Sequence, residues 1–181
     1  MGSIRMKQPS LVAHSHDVPG HKYQMKWTWK MQRNATARDI ANWVLHANSG
    51  QFGAQRQRLE NIIINCHGNA GQLYIGGTSA TAFGIANVGD FAMLRGLDVG
   101  TIWLVACEVA RGRGVAAGQN GMAFCAALAQ AAGCDVVAAG ADQRVEFGFY
   151  LRGCPWGCID EFEGVAYRFK PTGGYTWYSF D

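Results

Sequence analysis

Three short runs of the chain are almost entirely apolar, and the rest of the pattern is arranged around them. Asn61-Ile62-Ile63-Ile64-Asn65-Cys66, Thr101-Ile102-Trp103-Leu104-Val105-Ala106 and Cys134–Ala139, centred on Val136-Val137, are brief and carry β-branched residues at their centres or ends. Such runs predict strands covered on both faces of a parallel sheet. Residues 22–31 behave differently. Tyr23, Met25, Trp27, Trp29 and Met31 alternate with polar neighbours, which predicts a strand with one buried face.

Helical spacing fills the gaps. Ile40, Trp43 and Val44 predict a helix over Ala37–Ala47, opened by Asn34 or Thr36 and ended by Ser49-Gly50. Phe91, Leu94 and Leu97 predict a small helix. Phe124, Leu128 and Ala131 predict a longer one over Gly121–Ala132, closed by Gly133. Leu73-Tyr74-Ile75 before Gly76-Gly77 reads as a short strand and turn, and residues 51–58 as a polar surface loop. Near the C-terminus, Glu161–Lys170 and Tyr175–Phe180 alternate aromatic and polar residues about Pro171-Thr172-Gly173-Gly174, the pattern of a β-hairpin.

Buried strands separated by helices predict an α/β fold: an open, mostly parallel sheet flanked by helices, with a C-terminal hairpin added at about residues 160–181. One domain is expected over residues 22–181. Residues 1–21, with two Pro, three His and no periodicity, read as a flexible lead-in. A chain of 181 residues, 49% apolar and only 16% charged, can bury a core without a metal or disulfide staple. No internal repeat or low-complexity tract interrupts it.

Charge narrows the partners. The net charge is +3, and Arg33, Arg38, Arg56, Arg58, Arg111 and Arg113 are scattered, so nucleic acid is not expected as a partner. No apolar stretch is long enough for a membrane-spanning helix, so no membrane partner is expected. Residues 1–20 lack the apolar core of a secretory signal. The expected location is the cytoplasm, or outside the cell by a route that needs no signal peptide.

Of the six cysteines, Cys66, Cys107, Cys125 and Cys134 end or lie within apolar runs, where small buried thiols are the ordinary reading. Cys154 and Cys158 flank Pro155-Trp156-Gly157; a disulfide is open to them, and a reduced pair is the expectation in a cytosolic protein. No metal and no cofactor is expected. The spacing of a zinc site is absent, and His14, His16 and His21 fall in the lead-in.

Ligand sites in open α/β sheets lie at the carboxyl ends of the strands. Two of those ends carry His67-Gly68 and Cys107. A thiol there can act as nucleophile and an imidazole there can move a proton. Gly68 removes bulk beside His67, so its backbone N–H, with that of Cys107, can form an oxyanion hole. Either side chain alone is an ordinary turn or core residue. Both at the ends of strands in one sheet point to chemistry.

At these residues the sequence resembles the caspase-like (clan CD) cysteine peptidases, nearest to their bacterial CHAT-like and gingipain-like members. The residues that carry the resemblance are Ile62-Ile63-Ile64-Asn65-Cys66-His67-Gly68 and Ile102-Trp103-Leu104-Val105-Ala106-Cys107. In that family an apolar strand ends in His-Gly, and about forty to fifty residues later another ends in a small residue and Cys. Here Cys107 follows His67 by 40 positions (107 − 67), and the helix and strand after it continue the pattern. The resemblance covers about residues 58–145. The caspase signature Gln-Ala-Cys-x-Gly is replaced by Val105-Ala106-Cys107-Glu108-Val109, and Glu108, if turned inward, would oppose a thiolate.

The resemblance implies a hydrolase: a thiol protease with Cys107 as nucleophile, His67 as general acid and base, and Gly68 and Cys107 supplying oxyanion N–H groups. A protein or peptide is the implied partner. The substrate pocket would lie near Ala139–Val145, where Asp142 could select a basic residue and Arg144 an acidic one. The implied setting is a bacterial effector or toxin. A catalytically inactive caspase-like interaction module, using the crevice or the aromatic hairpin, is the alternative, and an acyl transferase on the same thiol is a third. An α/β-hydrolase elbow, a P-loop and the papain order of Cys before His are all absent.

Overall fold

In the computed structural model, residues 2–18, 23–50, 55–77, 81–112, 119–143 and 154–178 are described. The chain is α/β, built on a mixed seven-stranded sheet. Its strands are β1 (Ser3–Arg5), β2 (Ser10–His14), β3 (Trp27–Lys30), β4 (Leu59–Asn65), β5 (His67–Asn69), β6 (Gln72–Tyr74), β7 (Ala82–Gly84), β8 (Val99–Val105), β9 (Asp135–Ala139), β10 (Cys158–Asp160), β11 (Ala166–Phe169) and β12 (Tyr175–Tyr178). The helices are α1 (Ala37–Ser49), α2 (Gly121–Ala132) and a 3-10 helix over Ile85–Leu94.

The main sheet runs β12-β11-β9-β8-β4-β2-β3. From β9 to β3 every neighbouring pair is parallel, while β11 and β12 are antiparallel. β4 and β8 match along their length, with Ile62 opposite Ile102 and Ile64 opposite Leu104. The expected C-terminal hairpin is present and closes one end of the sheet. β5, β6 and β7 form a separate antiparallel sheet of three strands, and β1 pairs only with β10.

Strand alternation divides the core in two. Leu11, Ala13, Ile62, Ile64, Ile102, Leu104, Val136 and Ala138 meet α1, the 3-10 helix and α2 on one face. On the other face, Val12, Ile63, Trp103, Val137 and Ala139 meet Met6, Tyr23, Met25, Ile159 and Phe162. The second layer is thus the β1–β10 ribbon and neighbouring loops rather than helices. The helices form where the sequence places them: Thr36 caps α1 in a reciprocal pair with Asp39, and Gly50 and Gly133 end α1 and α2 in left-handed conformation.

Three expectations are corrected. Residues 3–14 are not a loose lead-in: β2 lies inside the sheet between β3 and β4, with every residue from Ser10 to His14 buried. Its polar ends are satisfied by distant partners. Asn61 donates to Ser10 Oγ at 2.9 Å and to the carbonyl of Lys7 at 2.8 Å. The carbonyl of Tyr23 lies 2.9 Å from His14 Nε2 and takes its proton, leaving Nδ1 to accept from Asn65 Nδ2 at 3.0 Å. The strand expected over 22–31 shrinks to Trp27–Lys30. Gln24 gives its carbonyl to Gly157 and Met25 donates to Thr28 Oγ1, which turns the chain before the strand begins. Cys154 and Cys158, expected as a reduced pair, are joined in a disulfide on the second core face. Among the described residues, no helix is long and apolar enough to cross a membrane.

Candidate active site

Because β9, β8, β4 and β2 are adjacent and parallel, their carboxyl ends share one edge of the sheet. β2 leads into Ser15-His16-Asp17, β4 into Cys66-His67-Gly68, β8 into Ala106-Cys107, and β9 into Gly140-Ala141-Asp142-Gln143. Read across the sheet, the edge presents Gln143, Cys107, His67 and Asp17 in that order. This is where doubly wound sheets bind their ligands.

Cys107 sits in a tight turn. Glu108 adopts φ 54°, left-handed backbone that a non-glycine residue enters at a cost of about 1–2 kcal/mol. Neighbours hold the turn in place. The N–H of Glu108 donates to the carbonyl of Ala141 at 2.9 Å and that of Ala110 to Ala139 at 2.9 Å, while Gly71 donates to the carbonyl of Val109 at 3.1 Å. The N–H of Cys107 takes no backbone acceptor among the described residues. The Glu108 carboxylate pairs with the Arg111 guanidinium, so its charge is answered there.

Cys107 is half-buried, whereas the other free cysteines, Cys66, Cys125 and Cys134, are buried. Burial pushes all three of these thiols up, Cys134 to about 12, with the Asp135 charge adding to the effect on Cys134. They stay protonated and unreactive at neutral pH. The Cys107 sulfur meets Gln143, whose backbone N–H reaches Sγ at 3.4 Å and whose carbonyl lies 3.7 Å from it. Gln143 is itself fastened. Its Nε2 donates to the carbonyls of Ala141 at 2.8 Å and Glu163 at 3.4 Å, and its Oε1 accepts from the N–H of Glu163 at 3.1 Å.

His67 is exposed at the start of β5, opposite Tyr74. Gly68 is wedged against the turn at Cys107: a Cβ there would stand 2.8 Å from Ala106 Cβ and 2.9 Å from the carbonyl oxygen of Cys107. The two strand ends picked out by sequence are therefore in direct contact at Gly68. Among the described residues, no hydrogen bond joins His67 to Cys107.

The sequence names no third residue, and the same edge of the sheet carries Asp17. Burial pushes its carboxyl up, but the Ser15 hydroxyl, its own backbone N–H and the attraction of His67 and His16 outweigh that and leave it below the usual carboxylate range. His16 Nδ1 lies 3.8 Å from it. Gly77, at φ 81°, packs so closely on Asp17 that a Cβ would come within 2.3 Å of Oδ2. The neighbouring amides have other duties: Asn65 is bonded to His14, and Asn69 accepts from the N–H of Ala70 at 2.7 Å.

Of the expected specificity residues, Asp142 is exposed on the same edge, and Arg144 lies outside the described residues. His14 and His16 are tied to Asn65, Tyr23 and Asp17, and His21 is outside the described residues. Among the described residues, no group of three acidic, His or Cys side chains could hold a metal. Further along the edge an open cavity of about 600 Å³ is lined by Arg111, Asn120, Met122, Tyr167, Tyr175 and Trp177. No protein-family model matches the chain, and no curated protein matches it.

Proposed function

We propose that this chain is a caspase-like cysteine endopeptidase, with Cys107 as nucleophile and His67 as its proton carrier. One observation carries the reading: a half-buried thiol and an exposed imidazole leave adjacent parallel strands at the same sheet edge, with Gly68 in contact with the nucleophile turn.

The chemistry follows from those positions. A peptide carbonyl enters between the two side chains. The thiol gives its proton to His67, and Sγ forms a bond to the carbonyl carbon. The N–H groups of Gly68 and Cys107 hold the oxygen that gains the charge. His67 then protonates the departing amine as the carbon–nitrogen bond breaks, leaving a thioester on Cys107. Water attacks the thioester carbon as His67 takes its proton, the carbon–sulfur bond breaks to release the carboxylic acid, and the imidazolium returns the proton to Sγ of Cys107.

A mixed synthetic peptide library tests the proposal. Mass spectrometry of the products is expected to find cleavage by the wild type and none by Cys107→Ala or His67→Ala. Equal cleavage by Cys107→Ala would sink the assignment.

The second reading, a catalytically inactive interaction module, is favoured by the hairpin. Tyr175 is 55% and Trp177 70% exposed, and both border the open cavity with Tyr167. In that reading the aromatic face binds a protein partner and Cys107→Ala leaves the binding intact.

A further inference from the structure

We propose that Gln143 is a positioning residue for the Cys107 thiol. Its side chain fastens the Ala141–Gln143 segment so that its own backbone N–H stays aimed at the sulfur. The inference rests on the reading of Cys107 as a nucleophile.

The connections are explicit. All three polar reaches of the Gln143 amide are used: toward Ala141 at 2.8 Å, toward the carbonyl of Glu163 at 3.4 Å, and from the N–H of Glu163 at 3.1 Å. Glu163 lies in the segment between β10 and β11, so the clamp ties the end of β9 to the approach to the hairpin. The carbonyl of Ala141 accepts from Gln143 and also from the N–H of Glu108, the residue after the nucleophile. One side chain therefore sets the spacing between the nucleophile turn and the strand end facing it.

The backbone of Gln143 can serve both protonation states of Cys107. Its carbonyl, 3.7 Å away, can take the S–H of the neutral thiol. Its N–H, 3.4 Å away, can hold the thiolate. These two contacts do not balance. A thiol is a weak donor, whereas an N–H bonded to an anion is about twice as strong as a neutral bond. The N–H is thus the contact suited to the thiolate, the form that attacks. Glu108 is beside the sulfur in sequence and its charge is met by Arg111; Asp142 is exposed. The Gln143 N–H is the hydrogen-bond donor to Sγ among the described residues.

Iodoacetamide reads this without any substrate. The full chain would be alkylated from about pH 5 to about pH 9, a span that brackets ordinary thiol ionisation, and modification of Cys107 followed by peptide mass mapping. Gln143→Ala is expected to slow alkylation near neutral pH by about five-fold and to displace the rise in rate to higher pH. Gln143→Met keeps the length and volume of the side chain and removes its hydrogen bonds, and should behave alike. Near-ultraviolet circular dichroism establishes that each variant is folded. A folded variant with the wild-type pH profile overturns the inference. Failure of both variants to fold would make Gln143 a structural residue and overturn it too. Peptide cleavage with an unchanged alkylation profile removes this inference alone. A displaced profile in a chain that cleaves nothing keeps it and removes the peptidase reading.

Discussion

The α-carbon of Gly68 rests against the carbonyl oxygen of Cys107, close enough that a methyl group added at position 68 would lie 2.9 Å from that oxygen. It would also meet Ala106 Cβ at 2.8 Å and Val109 Cγ2 at 3.0 Å. None of these atoms is the far end of a flexible side chain. Gly68→Ala must therefore push β5 away from the turn at Cys107. Overpacking of this kind costs about 1–3 kcal/mol. Denaturant unfolding should show that loss, and the variant should lose cleavage more completely than it loses stability, because the proposed oxyanion N–H moves with the strand.

Asp17 gives a prediction in pH. Its folded carboxyl titrates below the ordinary unfolded value. The ionised form is thus the one the fold favours. The stability this provides is present above the unfolded value and fades as pH falls through the folded one. Asp17→Asn should unfold at a lower denaturant concentration than wild type near neutral pH, and the two should converge below about pH 4. The same variant should leave the rate of Cys107 alkylation unchanged, because the Asp17 carboxylate is bonded to the Ser15 hydroxyl and the sulfur meets Gln143 instead.

Asn61 joins three parts of the second core face. It donates to the Lys7 carbonyl and the Ser10 hydroxyl, and its Oδ1 accepts from Trp103 Nε1 at 2.8 Å. Asn61→Ala strands an indole N–H among apolar side chains and releases β2. A destabilisation of about 2–4 kcal/mol is expected in equilibrium unfolding.

A milder effect is expected far from the site. Thr36 Oγ1 accepts from the N–H of Asp39, and the N–H of Thr36 donates to the Asp39 carboxylate at the start of α1. Thr36→Ala should cost about 1 kcal/mol in thermal or denaturant unfolding and leave the rate of Cys107 alkylation unchanged.

The parts of this fold that were legible in the sequence are those whose signal is local. β4, β8 and β9 announce themselves by β-branched runs, α2 by its Ala-rich helical face and terminal Gly133, and the hairpin by alternating aromatics around Gly173-Gly174. β2 gave no such signal. Only Leu11, Val12 and Ala13 are apolar, and Ser10 and His14 are buried because Asn61, Asn65 and Tyr23 arrive from elsewhere to satisfy them. With β2 unread, Asp17 at its carboxyl end was unreadable too. Gln143 stayed hidden for another reason. It meets the thiol through its backbone, and its side chain is fastened to Ala141 and to a partner twenty residues away at Glu163. His67, Gly68 and Cys107 were legible because each ends an apolar run, where the chain must leave the sheet.

The most direct test of the central claim is a search for new protein N-termini in a whole-cell extract incubated with purified wild type and, in parallel, with Cys107→Ala. The account predicts new termini, read by mass spectrometry, in the wild-type arm alone, sharing a residue type before the cut that would also settle whether Asp142 or Arg144 faces it. The same termini at the same rate in both arms would contradict it.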